Sequence, residues 1–257
     1  MQEIPSMLEM LQAGVHFGHK ASKWHPKMKP YIFGERSDIH IINLEETAKK
    51  LKEALEFIKK TTASGGVVLF VGSKDQAKEI VKRHAKEAGM PYVVTRWLGG
   101  TFTNFKTIKG VTDRFTDLKN KTATGGLAKY TKKEQLNFQK EIVKLEELVG
   151  GIETLKKLPE AVFVVDVRAE KTAVAEAKKK KVTVVALCDT NINPDEVDYP
   201  VPSNDDAVKA IEMMVGLVAA AVKEGKAEFE TKRNVVPAVV EKPAPAAKPE
   251  EKKEEGK

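Results

Sequence analysis

The sequence predicts an α/β protein: a Rossmann-like or flavodoxin-like parallel sheet with helices on both faces, interrupted by an inserted antiparallel coiled-coil helical hairpin. Three observations carry this. Short β-branched apolar runs alternate with amphipathic segments, the signature of βαβ units. Each run is apolar at nearly every position, as a strand covered on both faces requires. The alternation then lapses between Asn104 and Leu155, where only helical periodicity remains.

The strands expected are Val67–Val71, Tyr92–Thr95, Ala161–Val165 and Val182–Leu187, with Ile39–Ile42 a weaker fifth and Tyr199–Val201 a short edge strand around Pro200. Three helix starts show the spacing in which a polar cap is followed three residues later by an acid or amide. They are Asn43 with Glu46, Ser73 with Gln76 and Ser203 with Asp206. In the middle segment Phe105, Ile108, Val111, Phe115 and Leu118 recur at steps of three and four, and so do Phe138, Ile142, Leu145 and Val149, with Gly125–Gly126 between the two runs. Narrow stripes of this kind suit two helices zipped together and projecting about 25 Å, the alternative being two helices folded flat on the body. The organisation expected is a body of 1–103 with 156–230, a hairpin of 104–155 and an Ala/Pro/Lys/Glu tail of 231–257 too polar to offset its ordering entropy.

Composition narrows the function. The net charge is +7, with 44 Lys and Arg against 37 Asp and Glu, which favours a polyanionic partner. One cysteine, Cys188, rules out an intrachain disulfide framework and fits a reducing compartment. The opening MQEIPSMLEMLQAG is not a secretory signal, and the apolar stretch Met213–Val222 is too short to span a bilayer, so a soluble, cytoplasmic protein is expected.

Two windows lack acids altogether. Met10–Gly34 holds Lys20, Lys23, Lys27, Lys29, His16, His19 and His25 among Phe17, Trp24, Tyr31 and Phe33. Ala88–Thr112 holds Arg96, Lys106 and Lys109 among Tyr92, Trp97, Phe102 and Phe105, with Thr103 and Asn104 as further hydrogen-bonding groups. Cations for phosphates beside flat rings for unstacked bases are what irregular RNA asks of a protein. The plain alternative is that the aromatics are core and the lysines solvated. His16, His19, His25 and His40 fit no zinc spacing, and donation to phosphate or ribose suits them better. The Lys178–Lys181 run closes a helix, where helix-end complementarity competes with an RNA contact. Asp189, Asp205 and Asp206 lie beyond strand ends or at a helix start. Capping explains them simply, and as a cation site they would hold a structural Mg²⁺. No phosphate loop, zinc-protease or nucleophile-elbow motif occurs; the turn Val71–Lys74 alone could seat a phosphate. No cofactor is required by anything in the sequence, and a nucleotide-binding α/β enzyme or sensor is the competing class.

The stretches AGVHFGHKASKWHPKMKPYIFGERSDIHIINLEET (13–47), VVLFVGSK (67–74), RWLGGTFTNFKTI (96–108), LPEAVFVVD (158–166) and VVALCDTNINPDEVDYPVPSNDDA (184–207) resemble the family of small-subunit ribosomal protein number two of bacteria. The sequence departs from that family's usual Asn, Pro and Gly at His25, Thr183 and Ser203. The resemblance implies a non-enzymatic constituent of the small ribosomal subunit. It further implies binding of small-subunit ribosomal RNA, neighbouring small-subunit proteins as partners with the large mRNA-binding ribosomal protein number one among them, and no membrane or homo-oligomer.

Overall fold

A computed structural model of the chain describes residues 4–127 and 129–235. A five-stranded parallel sheet is built from β4 (Val68–Val71), β5 (Tyr92–Val93), β6 (Ala161–Val164), β7 (Thr183–Cys188) and β8 (Tyr199–Pro202), in the order β5-β4-β6-β7-β8. Numbered within the sheet this is 2-1-3-4-5, the flavodoxin-like order, whose direction reverses between β4 and β6.

Alternate residues of each strand feed two cores. Phe70, Phe163, Val185 and Leu187 face one side with α2 (Leu44–Ala63), α3 (Asp75–Glu87) and α7 (Val208–Val235). Leu69, Val71, Val162, Val164 and Cys188 face the other with α6 (Lys171–Lys180) and the loop through Trp97 and Phe102. Burial on both faces is why these strands read as unbroken apolar runs. Pro200 and Pro202 are tolerated because β8 is an edge strand with a neighbour on one side only.

Several expectations are corrected. Ile39–Ile42 is a strand, β3, but it belongs to a separate antiparallel sheet with β1 (Phe17–Lys20) and β2 (Ile32–Arg36), in the order β1-β3-β2. Alternation there is blurred because both pairings carry register shifts. The capping motifs also fare unevenly. Asn43 caps α2 by accepting the Glu45 N–H at 3.0 Å, without a reciprocal bond from Glu46. Ser73 caps nothing, since α3 starts at Asp75 behind Lys74. Ser203 is buried, and the Asn204 carboxamide oxygen takes the N–H groups of Asp206 and Ala207 instead, at 2.8 and 3.0 Å. A complete capping box outside those three, Ser6 with Glu9, starts α1 (Met7–Ala13).

Helices α4 (Phe105–Ala123) and α5 (Lys132–Val149) occupy the middle segment and are joined by an Arg114–Glu141 ion pair. Ile108, Phe115 and Val149 are buried in the second core, with Phe105, Val111, Ile142 and Leu145 packed against it, so the roots of both stripes are anchored on the body. Ile108→Asp is therefore expected to cost about 3 kcal/mol or more by burying an unpaired carboxylate. Chemical denaturation reads this directly; a midpoint unchanged from wild type would place Ile108 outside the packed seam. Finally, α7 continues to Val235, so the first residues assigned to the tail, 231–235, are helical. The remaining tail, 236–257, lies outside the described residues.

Candidate nucleic-acid interface

Residues Phe17–Ile42 form a small module seated on the C-terminal end of β7. Gly18 is needed there, because a Cβ would meet the Thr190 side chain at 2.6 Å. Backbone N–H groups of His19 and His25 donate to the Thr190 hydroxyl and carbonyl at 2.9 and 2.8 Å. Pro26–Tyr31 winds as a 3-10 turn, capped by His25 Nδ1 accepting the Lys27 N–H. Ser37 and Asp38, both left-handed, make the two-residue reversal between β2 and β3.

The outer surface of this module carries aromatic rings that the fold leaves uncovered. Phe33 is 79% exposed, Phe17 47% and Trp24 37%. Phe33 lies where the β2–β3 register shifts between Ile32 and Gly34, and such bulges re-aim a side chain. Lys20, Lys23 and Lys29 are exposed and make no ion pair among the described residues.

Acids distant in the chain partly neutralise this arm, which has none of its own. Lys27 pairs with Asp195, and His19 reaches Asp189 at 3.0 Å and Asp206 at 3.6 Å. Hydrogen bonding to Asp189 raises the His19 pKa against the opposing effect of burial. Burial lowers that of His16. His40 tilts against Trp24, its ring nitrogens unpartnered among the described residues.

The second window divides. Arg96, Thr103, Asn104, Lys106 and Lys109 are exposed. Trp97 is not; it is 7% exposed, edge-on to Phe102, with its indole N–H directed at Glu176. Trp97 is therefore a core residue in this conformation and not a surface ring for stacking.

Beneath the module lies the crevice at the switch point, where flavodoxin-like folds seat their ligands. Here the chain's own charges fill it. Lys74 Nζ stands 3.0 Å from Asp166, 2.8 Å from Asp205 and 2.7 Å from Asp206. Burial opposes its charge, yet the hydrogen bonds to Asp205 and Asp206 hold the ammonium above its ordinary pKa. The Ser73 N–H before α3, which could have met a phosphate, donates to the Glu170 carboxylate at 2.9 Å. Asp205 is 1% exposed, and burial beside Asp166 and Asp189 raises its pKa to about 7 despite Lys74. His19, Asp189, Asp205 and Asp206 converge, with ligand atoms within 4.8 Å of one another.

The sequence does not mark Lys74, Glu170 or Glu176 as functional side chains. The Gly72–Lys74 turn after a strand was a usable signal for the first. For Glu176, inside an Ala- and Lys-rich helix, there was none.

Fold and crevice together define a flavodoxin-like domain whose ligand crevice is closed by internal ion pairs and whose exposed chemistry is basic and aromatic. The sequence matches the ribosomal protein S2 family over residues 10–225, and the chain belongs to that family. It is thus a structural constituent of the small ribosomal subunit, with a ribosomal, cytoplasmic location, and not an enzyme. No helix among the described residues is long and apolar enough to cross a membrane.

Proposed function

We propose that the Phe17–Ile42 module is the principal RNA anchor, holding small-subunit ribosomal RNA with Lys20, Lys23, Lys27 and Lys29 on phosphates and Phe17, Trp24 and Phe33 on unstacked bases. Arg96, Thr103, Asn104, Lys106 and Lys109 extend the contact from the α4 root, and His16, His19 and His25 shape the module beneath. The carrying observation is the coincidence of three uncovered rings with Lys20, Lys23 and Lys29, unpaired among the described residues, on one small module. Docking of the large mRNA-binding ribosomal protein number one belongs to the same proposal. Its support is the outer face of α1, where Met7, Leu8 and Leu11 are 48%, 65% and 45% exposed, an apolar patch of the kind protein partners cover.

Binding of point variants to a small-subunit RNA fragment tests the anchor. Each of Lys20→Ala, Lys23→Ala and Lys29→Ala should flatten the log–log salt slope by roughly 0.7–0.9. Trp24→Ala or Phe33→Ala should cost about 1–3 kcal/mol with the slope unchanged. A triple lysine variant with a wild-type slope would move the anchor away from this module.

A second reading concerns the crevice. Lys74 is ringed by Asp166, Asp205 and Asp206, and Asp189 joins the last two beside His19, so a structural divalent cation would sit among Asp189, Asp205 and Asp206. His19 as a fourth donor shifts the preference from Mg²⁺ towards ions that accept nitrogen, such as Mn²⁺ or Zn²⁺. Thermal unfolding of the purified protein in Mg²⁺, Mn²⁺ or Zn²⁺ against chelator checks this: stabilisation lost in Asp205→Asn is expected. Identical midpoints in all four conditions would retire the cation.

A further inference from the structure

We propose that the N-terminal edge of the parallel sheet carries a second phosphate-binding surface, formed by Lys178, Lys179, Lys180, Lys181 and Lys156, which grips a different RNA segment from the one met by the Phe17–Ile42 module. This rests on the RNA reading above and extends it to the opposite end of the molecule.

Two lysine-bearing loops lie along this edge, Lys156 on the β4–β5 side with Gly66 and Pro91, and Lys178–Lys181 at β7. Lys156 precedes β6 and Lys178–Lys181 precede β7, and these strands pair in parallel with Ala161 opposite Thr183. All five lysines are exposed and make no ion pair among the described residues. The acids at the start of β6 and β8 are already engaged, whereas Lys156 shares its groove with Asp113, Asp117 and Glu153. Glu160 takes the Val67 N–H at 2.6 Å and pairs with Lys157, and Asp198 takes the Val184 N–H at 2.7 Å. Glu176, the only acid in α6, is buried under the Trp97–Thr103 loop. The outward residues of α6 are Lys171, Thr172, Ala175, Lys178, Lys179 and Lys180, so its solvent face carries positive charge alone.

Complementing the helix terminus accounts for cations in the last turn of α6. It does not account for Lys156 on another loop, nor for Lys181. Lys181 ends the helix at φ 57°, ψ 34°, a left-handed position where glycine is the favoured residue. A lysine there carries a conformational cost that glycine would not.

The two surfaces are far apart. β7 runs from Thr183 to Cys188 between the lysine cluster and Thr190, where the module is seated, a span of about 20 Å at roughly 3.3 Å per residue. That exceeds the Debye length of about 8 Å at physiological salt, so the two sites act as independent clusters of phosphate-binding cations.

The test compares full-length wild type with a variant carrying Lys178→Gln, Lys179→Gln, Lys180→Gln and Lys181→Gly, binding intact small-subunit ribosomal RNA over a salt series. Expected are a weaker complex and a log–log salt slope flatter by roughly 0.7–0.9 for each phosphate that is no longer neutralised. These effects should multiply with those of the Lys20, Lys23 and Lys29 variants. Lys181→Gly alone should melt higher than wild type while binding RNA more weakly; equal binding counts against the proposal. If the quadruple variant keeps wild-type affinity and slope while the module variants lose theirs, the second surface is wrong and the module reading stands. Wild-type RNA binding with failure to enter small subunits would also overturn it, in favour of an acidic protein partner. If neither set changes RNA binding, the module reading falls and this one falls with it.

Discussion

Glu176→Ala is expected to destabilise the protein by about 3–5 kcal/mol, among the largest effects of any single substitution. The Glu176 carboxylate, 7% exposed, collects the N–H groups of Gly100, Phe102 and Thr103 at 2.7, 2.9 and 3.0 Å. It also takes the Thr103 hydroxyl at 3.1 Å and faces the Trp97 indole at 3.4 Å. Burial works against the charged form, yet the backbone donors outweigh it and hold the carboxyl below its usual range. Truncation leaves several donors without a partner, each worth about 1–3 kcal/mol where water cannot replace it. The loop then loses the geometry that presents Arg96 and Asn104. Denaturant unfolding measures the loss, and Glu176→Gln should fall between the two because its amide oxygen still accepts. A wild-type midpoint for Glu176→Ala would mean that the loop is held by apolar packing alone.

Lys74→Met should approach that size, about 3–5 kcal/mol near neutral pH, because it removes the ammonium that pairs with Asp166, Asp205 and Asp206. Its effect should depend on pH. Asp205 binds its proton up to about pH 7 in the folded protein against 3.8 when unfolded, so its contribution is most favourable below about pH 4 and is lost as pH rises towards 7. The raised His19 pKa has the same sign, stabilising below the ordinary imidazole value of 6.5 and fading above it. Without Lys74 the carboxylates repel more strongly, and proton uptake relieves them only in acid. In chelator, the melting-temperature gap between Lys74→Met and wild type should therefore be wider at pH 8 than at pH 5. Adding Asp205→Asn should narrow it. A gap independent of pH would show that Lys74 acts through packing of its methylene stem rather than through charge.

Whatever depends on contiguous residues could be read from the chain alone. The parallel strands were legible because burial on both faces leaves unbroken apolar runs such as Val68–Val71 and Thr183–Cys188. The two middle helices were legible because a stripe at steps of three and four admits no other regular structure. The acid-free windows located the exposed lysines and rings of the module. Tertiary structure decided everything that depends on residues distant in the chain. It took Trp97 into the core through Glu176, which lies 79 positions away, and it brought Asp195 and Asp189 to an arm that has no acid of its own. It also filled the switch-point crevice with Lys74 and three aspartates drawn from two other loops. Local charge and periodicity report the field and the face of a segment, but the groups that neutralise a field or bury a ring are chosen by packing across the sheet, and a linear pattern carries no record of that choice.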